Sequence, residues 1–195
     1  MFRFDIINTL IQKNGYKSFL EIGVCNGATA CQIEVEDYTG VDPAPIYQGE
    51  VYTTHVTTSD EFFKTNKKTY DIAFIDGLHE AEQVYKDIVN TLEVLNEGGT
   101  IVCHDMMPNS FGCQQVPRIQ QVWTGDCWKA WIKLRQERPD LRMKVVDTDW
   151  GCGVIQVGTQ KVLDTDLEIN YANFDKNRKE WLNLISIDEF NSIFA

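Results

Sequence analysis

Two groups of residues in this chain have the types and spacing to do chemistry. The first is Asp76 and His79, in Phe74-Ile75-Asp76-Gly77-Leu78-His79, with His104 and Asp105, in Cys103-His104-Asp105. Each acidic residue follows a short apolar run, 71–75 or 100–103, and each has a histidine close by in sequence. A carboxylate pair can hold a divalent cation, which lowers the pKa of a hydroxyl and orients it. A neutral imidazole can take the departing proton. Two of the chain's three histidines belong to this group. The same residues also have plainer uses. Asp-Gly is common turn chemistry, an Asp at a strand end can cap the next helix, and either histidine can simply satisfy a hydrogen bond.

The second group is Glu21-Ile22-Gly23-Val24-Cys25-Asn26-Gly27 with Asp42, which lies 19 positions after Gly23. An apolar run that ends in a glycine turn, with a carboxylate closing the next strand, builds a nucleoside pocket. The Asp42 carboxylate can accept both ribose hydroxyl protons. A dinucleotide turn reads Gly-x-Gly-x-x-Gly, and its second glycine lets the backbone approach a pyrophosphate. Here the aligned residues are Gly23, Cys25 and Ala28. S-adenosylmethionine (SAM) has a ribose and no phosphate, so it makes no demand for that glycine.

These residues need a scaffold, and the pattern supplies one. Ile6, Ile7, Leu10 and Ile11 share a helix face that Asn14-Gly15 stops. Residues 18–22 and 37–41 read as the first two strands, with a short helix at 27–34 between them. The threonines, valines and tyrosine of 51–57 suit a third strand, and Ser59 caps a brief helix carrying Phe62 and Phe63. Residues 71–75 form a fourth, buried strand. Ala81, Val84, Tyr85, Ile88, Leu92 and Leu95 recur at helical spacing, and Gly98-Gly99 ends that helix. Residues 100–103 are a fifth strand. A helix spans 125–137, and strands at 142–147 and 152–157 flank Asp149-Trp150-Gly151 as an antiparallel hairpin. In an open sheet of this kind ligands bind outside the carboxyl ends of the strands. Adjacent strands lie about 5 Å apart, so Asp76 and Asp105 should converge.

The chain has 195 residues, 43% of them hydrophobic, which suits one domain with a sizeable core. A formal charge of −11 opposes a nucleic-acid partner. No apolar run approaches the ~20 residues that cross a membrane, and Met1-Phe2-Arg3-Phe4-Asp5 lacks the features of a signal peptide. The expectation is a cytoplasmic protein with free thiols, because the six cysteines form no Cys-x-x-Cys pair. One basic stretch stands out, with Arg118, Lys129, Lys133, Arg135, Arg138, Arg142 and Lys144. It reads as a solvated helix face or as a mouth for an anionic or sugar substrate.

The runs 74–79, Val84-Tyr85-x-Asp87 and Gly98-Gly99-Thr100-Ile101-Val102-x-His104-Asp105 resemble the small class I SAM-dependent methyltransferases, several of which act on hydroxyls. The stretches 123–130 and 147–155, with Leu182-Asn183-Leu184-Ile185 in the tail, are similar to a narrower O-methyltransferase-like group. The resemblance implies an α/β, Rossmann-like, doubly wound sheet, mostly parallel with a C-terminal antiparallel hairpin. Residues 1–160 would be the methyltransferase domain and 161–195 an appendage packed on it. Glu21, Gly23 and Gly27 would line the methionine end of SAM, Asp42 the ribose, and Ser59 or Asp60 the adenine. Asp76 would border both cofactor and reacting atoms, with His79 or His104 as base.

Metal-dependent relatives place an Asp-Asn pair at the end of the fifth strand. Here Met106 stands at the Asn position, a poor ligand for a hard cation. Asp76 and Asp105 could hold Mg2+, with a histidine completing the site, or the site could be metal-free. The acceptor would be a small molecule or sugar. Trp123, Trp128 and Trp131 offer sugar-stacking faces or core. The competing classes are a nicotinamide-dependent oxidoreductase and a non-catalytic SAM-binding module. Trp181, Leu182, Leu184, Ile185 and Phe190 are too apolar for water, so the tail should dock on its own domain or on a second copy in a homodimer.

Overall fold

The computed structural model describes residues 1–194. The first helix, α1 (Arg3–Asn14), buries Ile6, Ile7, Leu10 and Ile11 and stops at Gly15, whose φ of 67° no helix can continue. Strands β1 (Ser18–Ile22) and β2 (Asp37–Val41) follow, joined through a single 3-10 turn at Ala30–Gln32. Then come α2 (Gly49–Tyr52), α3 (Ser59–Thr65), β3 (Tyr70–Ile75), α4 (Ala81–Glu93) and β4 (Leu95–Cys103). The second half contributes α5 (Cys127–Glu137), β5 (Leu141–Val146), β6 (Cys152–Val157), α6 (Tyr171–Trp181), β7 (Leu184–Ile185) and α7 (Ile187–Phe194).

The seven strands form one sheet in the order β2-β1-β3-β4-β6-β5-β7. β1 pairs in parallel with β2 and β3, and β3 with β4. Only β6 runs against its neighbours, antiparallel to both β4 and β5. This is the expected Rossmann-like α/β sheet, mostly parallel with a closing antiparallel hairpin. Alternation along the strands divides the core. Ile101 and Cys103 of β4 pack with Trp128, Trp131, Phe174 and Trp181, whereas Val102 between them packs with Ile6, Ile7, Leu10 and Phe190. The tail belongs to this core. β7 pairs with Val145 and Val146, and the buried Trp131 donates its indole N–H to the Leu182 carbonyl at 3.2 Å.

Five local expectations give way. The helix expected over 27–34 is only the 3-10 turn at Ala30–Gln32. The strand expected over 51–57 is replaced by α2 and a single bridge from His55 to Val41. There the Thr54 and His55 amides both bond the Gly40 carbonyl, at 3.0 Å, so the segment meets β2 at one point instead of extending along it. The cap of α3 is Thr58, whose hydroxyl accepts from the Glu61 N–H at 3.3 Å, and Ser59 is the first helical residue. Finally, α4 ends at Glu93, and Gly98-Gly99 lies inside β4, beside an irregularity in its pairing with β3. Glycine there permits the bulge, Gly98 having φ 77°. α5 likewise starts at Cys127 and not 125, because Gly125 has φ 61° and its Cα faces the His79 carbonyl too closely for any side chain.

Candidate active site

The carboxyl ends of β1, β2 and β3 open onto a cavity of about 680 Å³. Gly23, Asp42, Ser59, Asp60 and Asp76 all line it. Gly23 is needed for the chain itself. It has φ 93°, and a Cβ there would sit 2.2 Å from the Asp76 carbonyl oxygen, so glycine lets the end of β1 lie against the end of β3. Asp42 is 8% exposed and accepts from the Cys25 N–H and the Ala44 N–H, each at 2.7 Å. It therefore fixes the glycine turn as well as bordering the cavity.

Two expected residues lie elsewhere. Glu21 is not on the cavity wall. Its side chain points into the protein and accepts from the Tyr38 hydroxyl. Burial pushes its carboxyl up to about 8, against the smaller opposing effect of that hydrogen bond. Gly27 also lies off the wall, with its Cα turned toward the Tyr52 ring and Gly49; Ala28 and Thr29 take the wall positions. Nothing in the motif told in advance that Gln83 and Asp87 of α4 would line the cavity too. Gln83 donates to Ser59 Oγ, Asp60 Oδ1 and Asp87 Oδ1 at 3.2, 3.1 and 3.0 Å. Their i, i+4 spacing on a helix was the available signal.

A second cavity, about 280 Å³, adjoins the first and shares Arg3, Asp76 and His79 with it. His104, Asp105, Trp123, Asp149 and Trp150 complete its polar and aromatic wall. Here the two strand-end carboxylates come together: one oxygen each of Asp76 and Asp105 and one ring nitrogen of His79 lie within 4.8 Å of one another. His79 Nε2 is 3.3 Å from Asp76 Oδ1, and its Nδ1 is 3.1 Å from Asp105 Oδ2. His104 Nδ1 is 3.4 and 3.5 Å from the two carboxylates, while its Nε2 faces Asp149 Oδ2 at 3.5 Å. Among the described residues, Asp76 Oδ1, His79 Nδ1 and His104 Nε2 are buried without a well-formed hydrogen bond.

The electrostatics follow from this crowding. Burial alone would raise the Asp76 carboxyl, but His104 and His79 outweigh it and hold it well below the usual range. Burial would lower His79 and His104, and the carboxylates outweigh it in turn, raising both imidazoles. Asp149 was not anticipated, although its turn carries the mark of a constrained site: Asp149 and Trp150 both have positive φ, 44° and 64°. Its carboxylate also holds the Arg3 backbone N–H at 2.9 Å and the Arg3 guanidinium at 3.0 Å. Nothing in the sequence marked Arg3. Of the three tryptophans considered for stacking, Trp128 and Trp131 are wholly buried core, and only Trp123 reaches the cavity, stacked on His79 with ring centroids 5.3 Å apart. Met106, at the position where metal-dependent relatives carry Asn, is buried among apolar side chains and takes no part.

Residues 20–106 match a family model described as a methyltransferase domain. No curated protein matches the chain. Among solved structures, the O-methyltransferase TomG of Streptomyces achromogenes, involved in tomaymycin synthesis and solved with SAM, superposes with a TM-score of 0.60 at 12% identity over 80% of this chain and 79% of that one. A Podospora anserina methyltransferase bound to S-adenosylhomocysteine gives 0.59 at 16% identity, over 83% and 80%. An O-methyltransferase of Bacillus cereus, also with S-adenosylhomocysteine, gives 0.58 at 13%, over 80% of each. The sheet order and the reversed β6 give the chain the fold of these methyltransferases, and residues 20–106 match a methyltransferase domain.

Proposed function

We propose that the chain transfers the methyl group of SAM to a hydroxyl of a small molecule or glycan. The observation that carries this reading is the meeting of two cavities at Asp76 and His79, one sized for a nucleoside cofactor and one lined by carboxylates, imidazoles and aromatic rings. The larger volume lies within the roughly 300–1,000 Å³ usual for such ligands. Its wall carries Asp42, Asp60, Asp76 and Asp87 against Arg3 and the raised imidazole of His79, an acid-rich setting that favours a net cation such as SAM and disfavours a pyrophosphate. When bound, SAM supplies an electrophilic methyl group. The chain's work is then to orient the acceptor and relieve it of a proton.

The donor set at the smaller cavity fits a divalent cation. Asp76, Asp105 and His79 converge, and two of their atoms lack other hydrogen-bond partners. Two carboxylates and an imidazole suit Mg2+ or Mn2+; a cation held there would lower the pKa of a coordinated hydroxyl. His104 is the proton acceptor in this reading once a cation beside Asp76 and Asp105 offsets the carboxylates that raise its imidazole, so that the ring is neutral. Asp149 faces its Nε2 and so favours the tautomer that carries the proton there, leaving Nδ1 bare beside Asp76 and Asp105. Trp123 and Trp150 would border the acceptor ring.

The test is release of S-adenosylhomocysteine over a panel of sugar and phenolic acceptors. Chelation should abolish turnover with an active acceptor, and Mg2+ or Mn2+ should restore it. His104→Gln should lower kcat about 10²- to 10⁴-fold. Turnover unmoved by both His104→Gln and Asp105→Asn would remove this cluster from the reaction.

A further inference from the structure

None of the cations of the basic stretch lines either cavity of the candidate active site. Arg3 lines both. It is the first residue of α1, and the fold pins it at three atoms. Its backbone N–H donates to Asp149 Oδ2 at 2.9 Å, its Nη1 to the same oxygen at 3.0 Å, and its Nε to the Thr29 hydroxyl at 2.9 Å. Nη2 forms no hydrogen bond among the described residues, so two of the guanidinium's N–H groups are left for a ligand. The side chain is 23% exposed and held at two of its three nitrogens, which leaves its free edge preorganised.

SAM brings a ribose diol, a sulfonium, an ammonium and a carboxylate. The first three suit acidic partners, and the larger cavity offers Asp42, Asp60, Asp76 and Asp87. The carboxylate is repelled by all of these. The cations on that wall are Arg3 and His79, and both ring nitrogens of His79 already face Asp76 and Asp105. Arg3 therefore holds the open donors on the wall that carry positive charge. Position agrees with charge. The methyl group must face the smaller cavity to be transferred, which puts the sulfur at the junction beside Asp76 and His79. The amino-acid end hangs from that sulfur by a short aliphatic link, and Arg3 is the third residue that the two cavities share.

We propose, on the reading that this cavity holds SAM, that Arg3 binds the cofactor's α-carboxylate and makes the site selective for the amino-acid form of the sulfonium. Thr29 and Asp149 are then positioning residues, since they occupy the other two nitrogens and aim Nη2. This assignment has a sign that can be checked. An acid-rich wall by itself would prefer decarboxylated SAM, which has lost its negative group and carries one more net positive charge. Arg3 reverses that order, because a charge-assisted hydrogen bond to the carboxylate is available only to SAM.

Calorimetric titration of the full chain with SAM and with decarboxylated SAM is the test. The wild type should bind SAM roughly ten- to a hundredfold more tightly, the worth of a charge-assisted hydrogen bond. Arg3→Met should weaken SAM by about that factor and leave decarboxylated SAM bound as tightly or more so. Arg3→Lys, which keeps the charge and loses the planar edge, should fall between the two. If Arg3 served only to hold Asp149, Arg3→Met would weaken both ligands alike. That outcome, or wild-type binding of decarboxylated SAM as tight as that of SAM, would overturn the proposal. The wild-type comparison needs no variant, so it decides the matter even if Arg3→Met fails to fold. SAM binding without this preference would remove Arg3 alone, whereas a folded wild type that bound neither ligand would remove the SAM reading with it.

Discussion

Gly23 and Glu21 are two positions apart and show how one motif serves the scaffold as much as the ligand. A Cβ on Gly23 would lie 2.2 Å from the Asp76 carbonyl oxygen, at a φ of 93° that side chains avoid. Gly23→Ala should therefore cost about 2–5 kcal/mol, from backbone strain and overpacking together. Gly15→Ala, which meets nothing within 4 Å at φ 67°, should cost only about 1–2 kcal/mol. Denaturant unfolding of both variants would check the contrast, and equal losses would contradict it. Glu21 makes a pH prediction. Its carboxyl moves from an ordinary value of 4.5 to about 8 on folding, so the folded chain keeps a proton that the unfolded chain releases across that interval. The group's contribution is full below the unfolded value and is lost as pH rises toward the folded one. Glu21→Gln should flatten the fall in melting temperature over this range and melt above the wild type at pH 8. Parallel curves for the two proteins would refute the assignment. At this scale the sequence made Asp76, His79, His104 and Asp105 legible, because acids at strand ends must meet in a parallel sheet. Arg3 and Asp149 were not legible, because only the folded hairpin and α1 bring them there.

Elements with strong periodicity were readable, and those defined by a few tertiary contacts were not. β1, β2, β3, the β5–β6 hairpin and α1 follow directly from buried runs and a glycine stop. The β-branched stretch at 51–57 failed as a strand because α2 takes its first two residues and Gly40 accepts from Thr54 and His55 at one place. The glycine pair 98–99 misled in the same way: its permissiveness serves a bulge within β4, not the end of α4. In the tail, apolar composition announced burial without saying where. β7 joins the edge of the sheet, and Phe190 of α7 packs with Ile6, Ile7 and Leu10 of α1. Phe190→Ala should cost about 3–5 kcal/mol, whereas Ile193→Ala, at a residue 44% exposed, should stay within about 0.5 kcal/mol. Thermal melts with mass measured in solution would check this. Equal melting temperatures for the two variants would show that α7 does not contribute to the core.

At the scale of the whole molecule, one sheet places a nucleoside-sized cavity and a carboxylate-imidazole cavity side by side along its carboxyl edge. None of the described helices is long and apolar enough to cross a membrane. The acid-rich wall of the larger cavity gives the molecule an electrostatic reason to choose SAM over a dinucleotide carrying a pyrophosphate. Calorimetric titration of the purified chain with SAM and, separately, with NAD tests that choice most directly, with Asp42→Ala as the variant and circular dichroism as the check on its fold. The account predicts saturable binding of SAM, no binding of NAD, and a loss in Asp42→Ala of about 1.5–3 kcal/mol, roughly ten- to a hundredfold in affinity. Binding of NAD as tight as that of SAM, or SAM affinity unchanged in folded Asp42→Ala, would contradict it.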